Sequence, residues 1–510
     1  MSTAVKSPAA RAAVPGPGNS PHAPSILLPL RFMLAGVLAL FGGLLLLLLR
    51  PELLAAYHYN QYIIAVTHLL VLGWICTIVM GSMYQLVPVA LETRLYSERL
   101  ARWQFVFHVV GFAGMVWMFW TWNMKQVGHF GVALAVSVGL FGYNLVRTLW
   151  RVPRWNVVAT AVTSALVWLA LAALAGLTIA ASKCSYESAS TSAVSGALGP
   201  LVHGLKTLAA FTARFDQLGA MHAHAHLGAV GVFVILIVGI SYRLVPMFTL
   251  SEVQSRRRAN ASLVLLNAGL LASFVVLLLR SPLKPVCALV VVAGLSLYGF
   301  EVVAILRARK RRNLDWGVKY FLTAVALLLP LSLLALVLSW PGLQLNVFTG
   351  QLENLYGFLG LLGVVSFAII GMLYKIVPFL VWYRSYSSRL GLGKVPSLAD
   401  LYSARLQAAG YWTWLLGLAV TSVAVVCGSP AGVRWGCAFL FLGALTLGLN
   451  MARMLGHLFR PRVEPLRAGP AGGAQVPKPA FSPAARPVDP TTAARSLAAG
   501  DVAGLKTQFQ

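Results

Sequence analysis

Met221–Phe248, MHAHAHLGAVGVFVILIVGISYRLVPMF, decides how the rest of the chain reads. Its first turn carries His222, His224 and His226, and a nearly unbroken apolar run follows. Such a run is long enough to cross the hydrocarbon core of a bilayer, about 30 Å thick. At about 100° per residue, His222 and His226 share a helix face while His224 points roughly the other way. One helix can therefore offer imidazole to two different neighbours. Histidine is rare and costly in lipid unless it is paired or metallated.

The same phrase occurs three times. His68–Val89, HLLVLGWICTIVMGSMYQLVPV, slides onto the second copy with His68 on His226, Gly73 on Gly231, Gly81 on Gly239, Tyr84 on Tyr242 and Leu86-Val87-Pro88 on Leu244-Val245-Pro246. A third copy carries Gly363, Gly371, Tyr374 and Ile376-Val377-Pro378, with Phe358 at the histidine position. Fixed spacing repeated three times marks an internal repeat. Two repeats carry a candidate ligand and the third does not.

Of the 510 residues, 58% are hydrophobic and only 10% are charged. That composition predicts an all-α polytopic membrane protein of about twelve helices, because lipid admits helices or closed barrels and barrel strands alternate in polarity. The membrane-spanning domain is expected over 25–458, with repeats centred on 60–90, 218–248 and 351–382. The Ala/Pro/Ser-rich segments 1–24 and 459–510 read as disordered tails. The net charge of +27 sits in short loops and in the tails. This is the topogenic pattern, and it argues against a nucleic-acid partner. The positive-inside rule puts these loops and both termini in the cytoplasm of a multi-pass inner-membrane protein. Cys76, Cys184, Cys287, Cys427 and Cys437 form no CxxC or CxxCH, so neither a zinc ribbon nor c-type haem attachment is encoded.

The Gly-x-x-Tyr-x-Leu-Val-Pro phrase after His68 resembles the second helix of haem–copper oxidase catalytic subunits, nearest the nitric oxide reductase and cbb-type branch. There, the corresponding helix carries a low-spin haem histidine. His224-Ala-His226 resembles that family's His-x-His, which serves the low-spin and active-site haems. Twelve spans in three groups also match the family's architecture. The resemblance implies a b-type haem, a copper ion as a further candidate, a cytochrome c or quinol electron donor, and other membrane subunits as partners. The sequence departs from the pattern in having no His-His dipeptide, in Phe358, and in placing the triple-histidine helix sixth instead of tenth. A conventional oxygen-reducing copper centre is therefore not expected from this chain alone. The NnrS-type haem and copper membrane proteins are a second resemblance, sharing the span count and a simplified histidine set.

His68 and His226 are the expected axial pair of one haem, since they occupy equivalent depths. His224 is a second candidate ligand, and His222 with His226, at i and i+4, is a candidate copper pair. His108 reads as a buried, hydrogen-bonded histidine. Glu301 is the clearest intramembrane acid and is expected to pair with Arg307, or else to serve a proton route. Arg243 and Lys375 lie in the Tyr-x-Leu/Ile-Val-Pro phrases and are expected to snorkel, with proton conduction as the other reading. Arg214 and Arg280 are candidate partners for haem propionates. The repeated glycines are expected to permit close helix approach, and Pro88, Pro246 and Pro378 to end or kink their helices. The competing class is a transporter or structural subunit on the same fold. Against transport, the repeats show no Gly/Pro break of the kind that unwinds a helix at mid-membrane.

Overall fold

Each repeat needs a helix on which to bury its glycine-studded face. In the computed structural model, which describes residues 25–56, 59–183, 203–204, 207, 210–211, 213–390 and 393–465, that need is met three times by the helix immediately before it. Twelve helices among the described residues are long and apolar enough to span a membrane. They are α1 Leu27–Leu49, α2 Gln61–Ala90, α3 Glu98–Trp120, α4 Met124–Leu149, α5 Val157–Ser182 and α6 Gln217–Thr249. The second half comprises α7 Arg256–Leu278, α8 Lys284–Arg307, α9 Trp316–Leu338, α10 Val347–Arg389, α11 Ala404–Val426 and α12 Pro430–Phe459. The protein is therefore an all-α polytopic membrane protein, with the number of helices expected from the sequence. Residues 1–24, His58 and most of the loop at 184–212 lie outside the described residues, as does the tail from 466 onward.

The helices fall into three groups of four. In each group the third and fourth helices pair tightly, the second packs on the first, and α12 packs back against α1 to close the set. The repeat helices α2, α6 and α10 are the most buried of the twelve. Their glycines explain how. A Cβ on Gly81 would sit 2.4 Å from Phe32 Cβ, one on Gly239 2.0 Å from Ala161 Cβ, and one on Gly371 2.6 Å from the Gly317 carbonyl. Gly73 and Gly231 are nearly as tight, at 2.8 Å from Ala39 and 2.7 Å from Trp168, whereas Gly363 has only ordinary contact, at 3.5 Å from Leu327.

A feature without a sequence signal recurs in all three. Directly after His68, His226 and Phe358 the chain widens into π-helix, over Leu69–Cys76, Leu227–Val234 and Leu359–Val365. Such turns spoil the regular backbone pairing and leave carbonyls for other donors. The third helix of a group supplies them. Eleven residues after the N-cap serines Ser97, Ser255 and Ser403 stand His108, Leu266 and Trp414. His108 Nε2 donates to the Leu72 carbonyl at 3.0 Å, and Trp414 Nε1 donates to the equivalent Leu362 carbonyl at 3.0 Å. In the second group, Leu266 cannot donate. The Val230 carbonyl there accepts from the backbone N–H of Ile235.

The prolines do not end their helices at once. α10 continues beyond Pro378 to Tyr386 before a short 3₁₀ turn, whereas α2 ends two residues after Pro88 and α6 three residues after Pro246.

Candidate haem-ligand site

His68 closes the last α-helical turn before its π segment, and its Nδ1 donates to the Ile64 carbonyl at 2.8 Å. His226 does the same with the His222 carbonyl, at 2.8 Å. Donation through Nδ1 fixes the tautomer of a neutral imidazole and leaves Nε2 with a bare lone pair, the form that a metal ligand takes. The His68 ring lies against Phe119, with centroids 4.6 Å apart. His226 is stacked on Tyr356 at 5.9 Å, and its Nε2 faces the Tyr356 hydroxyl at 3.4 Å, long for a hydrogen bond.

His224 looks the other way along α6, as the helical period requires. Its ring fits against Gly176, where a Cβ would come within 2.8 Å of the imidazole Cε1. His224 has the Ala172 backbone within reach of its ring, while its Nδ1 is buried and has no hydrogen-bond partner among the described residues. His68 on α2 is a neighbouring imidazole of His224.

These contacts obey the repeat. His224 and Tyr356 are equivalent positions, two residues before His226 and Phe358. The second repeat thus presents His224 to His68 of the first, and the third presents Tyr356 to His226 of the second. Of the expected axial pair, His68 keeps an Nε2 without a hydrogen-bond partner among the described residues, whereas His226 Nε2 faces the Tyr356 hydroxyl.

The expected copper pair fares differently. No group of three His, Cys, Asp or Glu side chains among the described residues converges on a common point. His222, His224 and His226 do not form one, because each two-residue step turns about 200° around the helix and carries His224 away from the other two.

Glu301 corrects its expected pairing. It binds Arg258, with Arg258 Nε donating to Oε2 at 2.8 Å, and Oε1 accepts from the backbone N–H groups of Gln254 and Ser255 at 2.6 and 2.9 Å. Arg307, six residues on, projects from a different side of α8. The same task falls to Asn144 and Asn450 in the other groups, which accept from the N–H of Ser97 at 3.0 Å and of Ser403 at 2.8 Å. All three staple the fourth helix to the start of the third. Glu301 therefore has its place as a structural staple.

Lys375 finds an acidic partner at a helix end. It pairs with Asp315, the N-cap of α9, and lies over the Phe248 ring at 4.6 Å. Burial pushes the Asp315 carboxyl up, but the hydrogen bond and charge of Lys375 outweigh it and hold the carboxyl below its ordinary value. Arg243 is exposed. Arg280, a candidate propionate partner, is paired with Asp216 at 3.1 Å, while Arg214 is exposed. His108 is 1% exposed and hydrogen-bonded, as its isolated place in the sequence suggests.

Residues 20–127 match the family model described as Cytochrome C and Quinol oxidase polypeptide I. The match covers the first group up to the start of α4, and it includes His68, Tyr84 and Pro88. Among curated proteins, none matches the chain. The matched stretch and the twelve-helix fold together support a haem–copper oxidase-like membrane protein.

Proposed function

We propose that the protein is a haem-binding electron-transfer subunit of the inner membrane, with both termini cytoplasmic, and that it holds a low-spin b-type haem through His68 and His224. The observation that carries this reading is the neighbouring pair of imidazoles: His68 with its tautomer fixed by the Ile64 carbonyl, and His224 with a buried nitrogen lacking a protein partner. A bound haem would supply one-electron transfer. The chain's own part is to hold the two imidazoles neutral, aim them from facing helices, and keep water from them with Phe119 and the apolar walls of α5 and α6. His226, whose Nε2 already faces Tyr356, is then a supporting residue. The Gly-x-x-Tyr-x-Leu-Val-Pro phrase favours kinship with the nitric oxide reductase and cbb-type branch. The missing His-His pair favours an NnrS-like simplification as the second reading, in which copper and a donor such as cytochrome c or quinol would belong to partner subunits.

The test is a reduced-minus-oxidised spectrum of the purified protein and of three variants. His68→Ala and His224→Ala should each abolish the low-spin signal, and His226→Ala should retain it. A wild-type protein with no haem absorbance would leave the transporter or structural class standing.

A further inference from the structure

The staple in the second group differs from the other two in a way that capping does not require. Asn144 and Asn450 show that a neutral amide suffices to hold the start of the third helix. The second group has instead a fully buried carboxylate, and three residues after the N-cap, where the other groups have Leu100 and Leu406, it has Arg258. A buried carboxylate is costly unless paired, so the pair Glu301–Arg258 fixes the guanidinium at one place and in one plane.

That place is a groove of about 800 Å³ lined by Gln254, Arg258, Phe300, Val303, Ala304 and Arg307. Only Nε of Arg258 is used by Glu301, and Arg307 makes no side-chain hydrogen bond or ion pair among the described residues. Phe300 and Val303 are 64% and 44% exposed on a membrane-spanning helix, so this wall of the groove faces acyl chains. Arg258 and Arg307 stand at the adjoining ends of α7 and α8, at the depth of the headgroups. A site with an acyl-chain wall and two guanidinium donors at its rim matches one class of molecule.

We propose that this groove binds an anionic phospholipid, its phosphodiester held by Arg258 and Arg307 and one acyl chain lying on Phe300 and Val303. A guanidinium can present two parallel donors to phosphate oxygens, and Glu301 takes only Nε of Arg258, which leaves its Nη groups for a ligand. The site belongs to the second group alone and is independent of haem.

The test uses the full-length protein in phosphatidylcholine nanodiscs, following its unfolding midpoint as phosphatidylglycerol is introduced or as inorganic phosphate is added to the solution. Phosphatidylglycerol should stabilise the protein and inorganic phosphate should not. Arg307→Gln leaves the staple intact and should weaken the phosphatidylglycerol dependence about fivefold, the factor expected for one basic residue at a membrane surface. Glu301→Gln keeps an acceptor for the Ser255 N–H but releases Arg258, and it should weaken the dependence while the protein stays folded. Arg309→Gln, whose guanidinium is held by the Leu306 carbonyl outside the groove, should change nothing. An equal loss in Arg309→Gln would mean diffuse surface attraction and overturn the proposal. So would an unaltered dependence in Arg307→Gln, or saturation by inorganic phosphate alone.

Discussion

His226 and Phe358 stand at equivalent positions of the second and third repeats, each directly before a π segment, yet only one of them can bind a metal. Around them the backbone is the same: a glycine facing the preceding helix, a tyrosine, a proline near the end. Phe358 is buried among apolar neighbours and contributes packing, whereas His226 is anchored by its own helix and faces Tyr356. The comparison separates two jobs. Glycines, prolines and π turns build the threefold frame, and the side chains of the turn before each π segment then decide whether that frame carries chemistry.

Several substitutions can break that separation. The largest effect is expected at His68, where alanine should remove the low-spin haem spectrum altogether with little change in the apoprotein's unfolding midpoint. Phe358→Ala should do the reverse, keeping the spectrum while costing about 3–5 kcal/mol of stability, as expected for emptying a buried phenylalanine site. If both variants lost haem, the third repeat would not be a purely structural copy.

Next come the glycines. Gly239→Val should cost about 1–3 kcal/mol or more by overpacking, because its Cβ would meet Ala161 Cβ at 2.0 Å with backbone behind it. Gly363→Ala, with nothing closer than 3.5 Å, should be nearly neutral in the same thermal or denaturant melt. Equal losses would show that the third repeat is as tightly docked as the second.

The staples should give smaller losses. Asn144→Ala and Asn450→Ala should each cost about 1 kcal/mol, the usual worth of a lost helix cap, read from the unfolding midpoint.

The smallest effect concerns acid. Asp315 is held below its ordinary value of 3.8 in the folded protein, so its pairing contributes stability above that value and loses it as the pH falls through the lower, folded one. Asp315→Asn should therefore flatten the acid limb of the stability profile and leave haem absorbance alone. An unchanged acid limb would mean that Lys375 and Asp315 do not hold one another in the membrane-embedded protein.

Most of the frame was legible in the sequence because it is written in periodic, redundant signals. Twelve apolar runs, one-sided arginines and a thrice-repeated phrase each point to the same helices, and the glycines announce close packing before any neighbour is known. What was hidden depends on partners far apart in the chain. Nothing near Glu301 distinguishes Arg307, six residues away, from Arg258, which lies on the preceding helix. Likewise, His224 and His226 are two residues apart, and only the packing of α6 against α5 shows that the His224 ring is turned onto Gly176. The π segments left no signal either, since their residues are ordinary apolar ones. Their trace was the odd pair His108 and Trp414, two donors at the same count from a serine cap, which is visible only once the groups are superposed.

Each π segment also has a consequence for phase. A wide turn consumes residues without the rotation that an α-helix would give them, about 100° apiece. Side chains before it and after it therefore follow two different wheels, and one helical diagram drawn through α2 from His68 to Tyr84 assigns the wrong face to one end or the other. Removing a single residue from such a segment would restore one wheel and swing the whole Gly-x-x-Tyr-x-Leu-Val-Pro end about its axis relative to the histidine. In these three helices, the angle between the ligand end and the packing end is set by residue count.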